Sequence, residues 1–133
     1  MIFVDTSVWI DFFNGKETRE VLILEAALGA EVVSIGDLIA LEILQGFRND
    51  KDYNTAKELL SALTIYSLLG ERAAYVCAEN YRALRKKGIT IRKTADVIIA
   101  SFCIENNFPL LFSDKDFLPF VEHLGLRSAN SYA

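Results

Sequence analysis

The sequence contains little of the chemistry on which many hydrolases depend. Among 133 residues there are one histidine, His123, two cysteines and two prolines. The one imidazole lies near the end of the sequence, away from the hydrophobic runs that carry the candidate acidic residues, which argues against most zinc sites and against Ser/His/Asp hydrolysis. The two cysteines, Cys77 and Cys103, lack metal-ligand spacing, so we expect buried thiols and no disulfide.

Membrane and secretion signals are also missing. No apolar run approaches the length of a bilayer span. The chain opens with Met1-Ile-Phe-Val-Asp5, so no basic leader precedes a hydrophobic segment. We therefore expect a cytoplasmic protein with no membrane contact.

The chain also lacks an excess of positive charge, because its formal net charge is −4. Its overall field therefore does not attract nucleic acid. A local basic cluster can still do so, and the candidates for such contacts are Arg85, Lys86, Lys87, Arg92 and Lys93. The alternative is that these side chains form a solvated helix end.

Short apolar segments alternate with longer helical patterns along the whole chain. The pattern predicts strands over 2–5, 31–35, 64–67 and 109–113, with 125–129 as a candidate fifth strand. It predicts helices over 7–13, 16–29, 37–47, 52–62, 70–87, 94–106 and 116–123. This alternation indicates an α/β fold with a parallel sheet, in one domain covering 1–133. Expected helix caps are Thr6 or Ser7, Asp37 and Thr94, and Gly88 is an expected stop.

Four acidic residues, Asp5, Glu42, Asp96 and Asp114, stand beside hydrophobic runs far apart in sequence. Asp5 and Asp114 each follow a predicted strand, and parallel strands bring their carboxyl ends to one edge of the sheet. Asp96 falls in the first turn of its helix, where the positive end of the helix favours a carboxylate. We therefore expect these side chains to converge in one polar pocket.

Converging carboxylates repel one another unless a cation is bound among them. Mg²⁺ and Mn²⁺ prefer oxygen ligands and need no histidine or cysteine. Such an ion can ionise a water and neutralise charge on a phosphate during in-line attack. The pocket therefore indicates hydrolysis of a phosphodiester.

The acidic positions lie in four segments that together resemble the PIN domain family, and within it the VapC toxins of toxin–antitoxin pairs. These segments are Ile2-Phe-Val-Asp-Thr-Ser-Val-Trp9, Leu41-Glu-Ile-Leu-Gln-Gly46, Thr94-Ala-Asp-Val-Ile-Ile-Ala100 and Leu110-Leu-Phe-Ser-Asp-Lys-Asp-Phe117. The resemblance implies a three-layer α/β/α fold with five parallel strands in the order 3-2-1-4-5. One departure is Phe112, where the family often carries threonine.

The resemblance also implies an activity, that of an Mg²⁺- or Mn²⁺-dependent endoribonuclease. Its catalytic acids would be Asp5, Glu42, Asp96 and Asp114, and the metal ligands among them Asp5, Asp96 and Asp114. Ser7, Asp116 and Thr94 would support the site. The implied partners are RNA, a cognate antitoxin and a second copy of the chain in a homodimer.

Two alternatives remain open from the sequence. A signalling receiver domain has a similar length and an acidic Mg²⁺ pocket. It requires an acid pair after its first strand and an aspartate after its third, whereas Asp5 stands alone and Tyr66-Ser67 ends the third predicted strand. The other alternative is a PIN-like module that binds RNA or a partner without cutting.

Overall fold

The computed structural model describes residues 1–130, which contain a parallel β-sheet of four strands. The strands are β1 (Ile2–Val4), β2 (Val33–Gly36), β3 (Thr64–Tyr66) and β4 (Leu110–Leu111). Their order is β3-β2-β1-β4, and β1 pairs with β2 on one side and β4 on the other. This order differs from the 2-1-3-4-5 order of receiver domains, in which β1 lies beside β3.

Seven α-helices surround this sheet within residues 1–130. They are α1 (Thr6–Phe13), α2 (Arg19–Ala30), α3 (Asp37–Leu44), α4 (Asp50–Ser61), α5 (Glu71–Lys86), α6 (Thr94–Asn106) and α7 (Leu118–Leu124), and a 3-10 turn spans Lys115–Phe117. Helix α1 packs against α2 and α3, and α5 packs against α6. No helix in this part of the chain combines the length and apolar character that crossing a bilayer requires.

The core is built on β1, because all three of its side chains are fully buried. Burial on both faces is typical of a parallel strand covered by helices. The Phe3 ring lies 5.5 Å from that of Phe102 and 6.3 Å from that of Phe108, measured between centroids. The predicted thiols Cys77 and Cys103 are buried and unpaired, as expected.

The predicted fifth strand is wrong. Segment 125–129 lies beside β4 as the predicted order requires, but it forms only one isolated parallel bridge, from Leu110 to Ser128. The pairing stops there because the side chain of Asn130 forms the hydrogen bonds to Phe112 that a paired strand would form with its backbone. The amide group of Asn130 donates to Phe112 O at 2.6 Å and accepts from Phe112 N at 3.1 Å. Residues 131–133 of the predicted domain lie outside the described residues.

The predicted helix caps are also wrong at three positions, each by one or two residues. Asp5 caps α1 in place of Thr6 or Ser7, since α1 already begins at Thr6. Gly36 occupies the cap position of α3, and Asp37 is its first helical residue. Lys93 precedes α6 with an extended backbone, so Thr94 is already helical. The predicted stop at Gly88 is confirmed by its positive φ of 84° just after α5.

The end of β2 lies very close to the segment that follows β3. A Cβ on Gly36 would lie 2.3 Å from a side-chain carbon of Leu68, which is buried. Asp37 holds this approach, because its Oδ1 accepts from the Leu68 amide at 3.2 Å and from the Leu38 amide at 2.8 Å. Glycine at position 36 therefore allows β2, α3 and the β3–α5 connection to meet at the carboxyl edge of the sheet.

Candidate metal centre

Asp5 leaves β1 at the carboxyl edge of the sheet and is almost completely buried. Its Oδ2 accepts from the Ser7 amide at 3.1 Å and from Ser7 Oγ at 2.6 Å. Burial raises the pKa of Asp5, with a smaller contribution from the charge of Glu42, while the Ser7 hydrogen bonds oppose the rise. The same Ser7 Oγ accepts from the Ser113 amide at 3.4 Å, which links the end of β1 to the segment after β4.

Asp96 lies in the first turn of α6 and is only 6% exposed. Its Oδ2 is buried and has no hydrogen-bond partner among the described residues. Desolvation, followed by the charge of Asp5, raises the pKa of Asp96 to about 7, and the charge of Lys93 opposes this rise. A buried acceptor without a donor is unfavourable, so this oxygen fits a position that receives a cation.

Asp114 and Asp116 lie on the segment that follows β4. Asp114 Oδ1 caps the 3-10 turn by accepting from the Asp116 amide at 2.9 Å. Partial burial works to raise the pKa of Asp114. The hydrogen bond from the Asp116 amide and the contact with Lys93 outweigh it, so this pKa lies below its usual range. Asp96, Asp114 and Asp116 each offer one carboxylate oxygen, and these three oxygens lie within 4.8 Å of one another.

Glu42 lies on α3, on the Asp5 side of this group. Its Oε1 accepts from Thr6 Oγ1 at 2.8 Å, a contact between α3 and the first residue of α1. Sequence reasoning did not identify Thr6 as a site residue, although its position next to Asp5 was a usable signal. Glu42 does not serve as an ion-pair partner of Arg48, six residues further along the chain, because Arg48 is exposed and forms no ion pair within residues 1–130.

The predicted basic cluster divides into two parts. Arg85 stacks over the Tyr81 ring on α5, and Lys86 and Lys87 are exposed at the end of that helix. The other two cations contact the acidic group directly, which the sequence did not predict. Lys93 Nζ lies 3.1 Å from Asp114 Oδ2, and Arg92 Nη2 lies 2.9 Å from Asp116 Oδ2.

These residues fit a hard divalent cation. All the donors are carboxylate oxygens, which Mg²⁺ and Mn²⁺ prefer, and Asp96 also has a buried oxygen without a partner among the described residues. The mutually close set is Asp96, Asp114 and Asp116, whereas the resemblance implied Asp5, Asp96 and Asp114. Asp5 remains close enough for its charge to raise the pKa of Asp96. Thr94, which was expected to support the site, is exposed at the start of α6.

Comparison with known families matches residues 2–120 to the PIN domain. The chain belongs to the PIN domain family. A VapC ribonuclease of Mycobacterium bovis is 32% identical over 139 residues, which cover 98% of each chain.

Two solved structures share this PIN fold. VapBC2 from Rickettsia felis, bound to a DNA fragment from its promoter, matches with a TM-score of 0.75 at 20% identity, covering 96% of this chain and 97% of that one. A toxin–antitoxin complex from Klebsiella pneumoniae matches with a TM-score of 0.62 at 24% identity, covering 88% and 90%. The similarity therefore extends over nearly the whole chain, and the receiver alternative is excluded.

Proposed function

We propose that this PIN domain is a metal-dependent endoribonuclease and the toxin of a VapC-type toxin–antitoxin pair, acting in the cytoplasm. Two observations on Asp96 carry the metal dependence: one of its carboxylate oxygens lies within 4.8 Å of oxygens of Asp114 and Asp116, and its Oδ2 is buried without a hydrogen-bond partner among the described residues. The full-length similarity to a VapC ribonuclease supports RNA as the substrate.

The carboxylates have distinct roles in this proposal. Asp96, Asp114 and Asp116 would hold Mg²⁺ or Mn²⁺, and Asp5, whose carboxylate is oriented by Ser7, would be a further ligand. A bound ion of this kind supplies Lewis acidity toward a phosphate oxygen and lowers the pKa of a water molecule. Glu42 Oε1 is engaged by Thr6, which leaves Oε2 to accept a proton from the attacking water.

The basic side chains complete the substrate groove. Lys86 and Lys87 are exposed at the end of α5, and Arg85 is held over Tyr81, so these three cations can contact phosphates away from the cleavage point. Because the net charge of the chain is −4, this local cluster must provide the attraction for RNA.

The test is cleavage of a labelled RNA with Mn²⁺ by the wild type and by Asp5→Asn. We expect the variant to lose roughly 100-fold or more in rate, because even residues that only support metal ligands are worth 10- to 100-fold. Asp11→Asn is the matched control, since it removes a carboxylate of α1 that pairs with Lys16 at 3.6 Å. Equal cutting by Asp5→Asn and wild type would remove Asp5 from the mechanism, and RNA binding without cutting would leave a non-catalytic module.

We also propose where the antitoxin binds. Helices α1 and α3 and the residues after α3 form a groove of about 150 Å³, lined by Ile10, Phe13 and Phe47 and also by Glu42. Leu41 on α3 and Leu22 on α2 are also exposed apolar side chains. A partner seated there would lie beside the acidic pocket and exclude RNA. Replacing Leu41 with lysine should release a co-expressed antitoxin, and its retention would place the interface elsewhere.

The remaining partner that we propose is a second copy of this chain, in a homodimer. The α5–α6 face has an apolar cavity of about 440 Å³ lined by Leu69, Ala78 and Val97. Leu69 and the nearby Tyr75 are 56% and 68% exposed, which is high for large apolar side chains. We expect sedimentation velocity to give the mass of a dimer, and a monomer at micromolar concentration would contradict this part.

A further inference from the structure

We propose that Arg92 and Lys93 act as internal counter-ions of the acidic group and transfer to phosphates of the RNA when the metal binds. This inference rests on the proposed function, because it concerns the same acidic group. Its starting observation is that the two cations occupy the carboxylates that a metal would need.

The contacts involve particular oxygen atoms. Asp114 Oδ1 is already used to accept from the Asp116 amide, so Oδ2 is the atom left for a metal. Lys93 Nζ donates to that same Oδ2. Arg92 donates to Asp116 Oδ2 in the same way. A metal that takes these oxygens therefore competes with both side chains.

The charges match this exchange. Two side chains with one positive charge each are replaced by one ion with two, so the acidic group is neutralised to the same extent before and after loading. The displaced side chains are free to move, because Arg92 is 73% and Lys93 56% exposed. Both residues stay tethered at the start of α6, within reach of the pocket, where a bound phosphodiester supplies new oxygen acceptors.

This exchange predicts that removing either cation changes the affinity for Mn²⁺ and the affinity for RNA in opposite directions. Arg92→Gln or Lys93→Gln removes a competitor, so each should bind Mn²⁺ about two- to fivefold more tightly, the range expected for losing one exposed ion pair. Each should also bind RNA more weakly once Mn²⁺ is saturating, because a phosphate contact is lost. A purely structural role would instead weaken metal binding or change neither affinity.

The experiment measures Mn²⁺ binding to the metal-free protein by titration calorimetry. It then measures the anisotropy of a fluorescent 2′-O-methyl oligonucleotide at saturating Mn²⁺. Lys115→Gln is the matched control, since Lys115 lies between Asp114 and Asp116 in sequence but forms no ion pair within residues 1–130. We expect Lys115→Gln to leave the Mn²⁺ affinity at the wild-type value.

Two results would overturn this inference and leave the proposed function unaffected. One is Mn²⁺ affinity in Lys93→Gln and Arg92→Gln no higher than in Lys115→Gln, and the other is unchanged oligonucleotide affinity despite tighter metal binding. A wild type that binds no Mn²⁺ would overturn the inference together with the metal dependence. Opposite shifts in a protein that fails to cut RNA would support the exchange and refute only the nuclease activity.

Discussion

Substitution of Asp96 should make the metal-free protein more stable while removing its activity. This carboxyl has a pKa of about 7 in the folded chain, against an ordinary value of 3.8. The folded state therefore holds the proton more tightly than the unfolded state, and stability falls as pH rises from about 4 to about 7. Asp96→Asn cannot ionise, so it should escape this loss.

The magnitude follows from the two pKa values. A tenfold change in proton affinity corresponds to about 1.4 kcal/mol, which gives an upper bound of about 4 kcal/mol for the ionised carboxyl. Lys93 and solvent screen the charge, so we expect Asp96→Asn to gain about 2 kcal/mol at pH 8 and nothing near pH 4. For a chain of 133 residues this gain raises Tm by roughly 6–10 °C.

The assay is thermal and urea unfolding of both proteins with a chelator at pH 4 and pH 8. Adding Mn²⁺ at pH 8 should stabilise the wild type more than the variant, since the variant lacks a ligand. Asp11→Asn should change stability by less than about 0.5 kcal/mol at either pH. If Asp96→Asn and wild type were equally stable at pH 8, and their stability changed with pH in parallel, the claim that ionised Asp96 destabilises the metal-free protein would be refuted.

Two further predictions concern the carboxyl edge of the sheet. Gly36→Ala should destabilise the protein by about 1–3 kcal/mol in urea unfolding, because its Cβ would overlap buried Leu68. Gly29→Ala has open space in α2 and should stabilise by up to about 1 kcal/mol, and equal effects would show that the contact at Gly36 relaxes. Thr6→Val removes the donor to Glu42 Oε1 and should lower the RNA cleavage rate by about 10-fold with little change in Tm. An unchanged rate would exclude Thr6 as a positioning residue for Glu42.

The sequence predicted the fold to the extent that buried strands and strand ends determine it. Asp5 and Asp114 were placed at one edge because each follows an apolar run, and the structure places both there. The fifth strand was not predictable in the same way. Whether segment 125–129 pairs fully with β4 depends on Asn130, whose side chain takes the backbone groups of Phe112. Sequence periodicity contains no information on that competition.

The composition of the acidic group was predicted less well than its location. Asp116 was expected only to support the site, yet one of its carboxylate oxygens joins those of Asp96 and Asp114 within 4.8 Å, because the 3-10 turn capped by Asp114 holds Asp116 next to it. The ion pairs of Arg92 and Lys93 were missed for a related reason. Their spacing suggested a solvent-facing cluster, and only the start of α6 beside the β4 end brings them to carboxylates 21 and 24 residues away.

The pairing of β1 with β4 has a consequence for synthesis of the protein. Strand β1 is synthesised more than one hundred residues before its neighbour β4, and Asp114 and Asp116 follow β4 closely in sequence. Non-local pairings of this kind form late in folding. A nascent chain therefore cannot assemble the acidic group of Asp96, Asp114 and Asp116 until β4 and the residues that follow it have been synthesised.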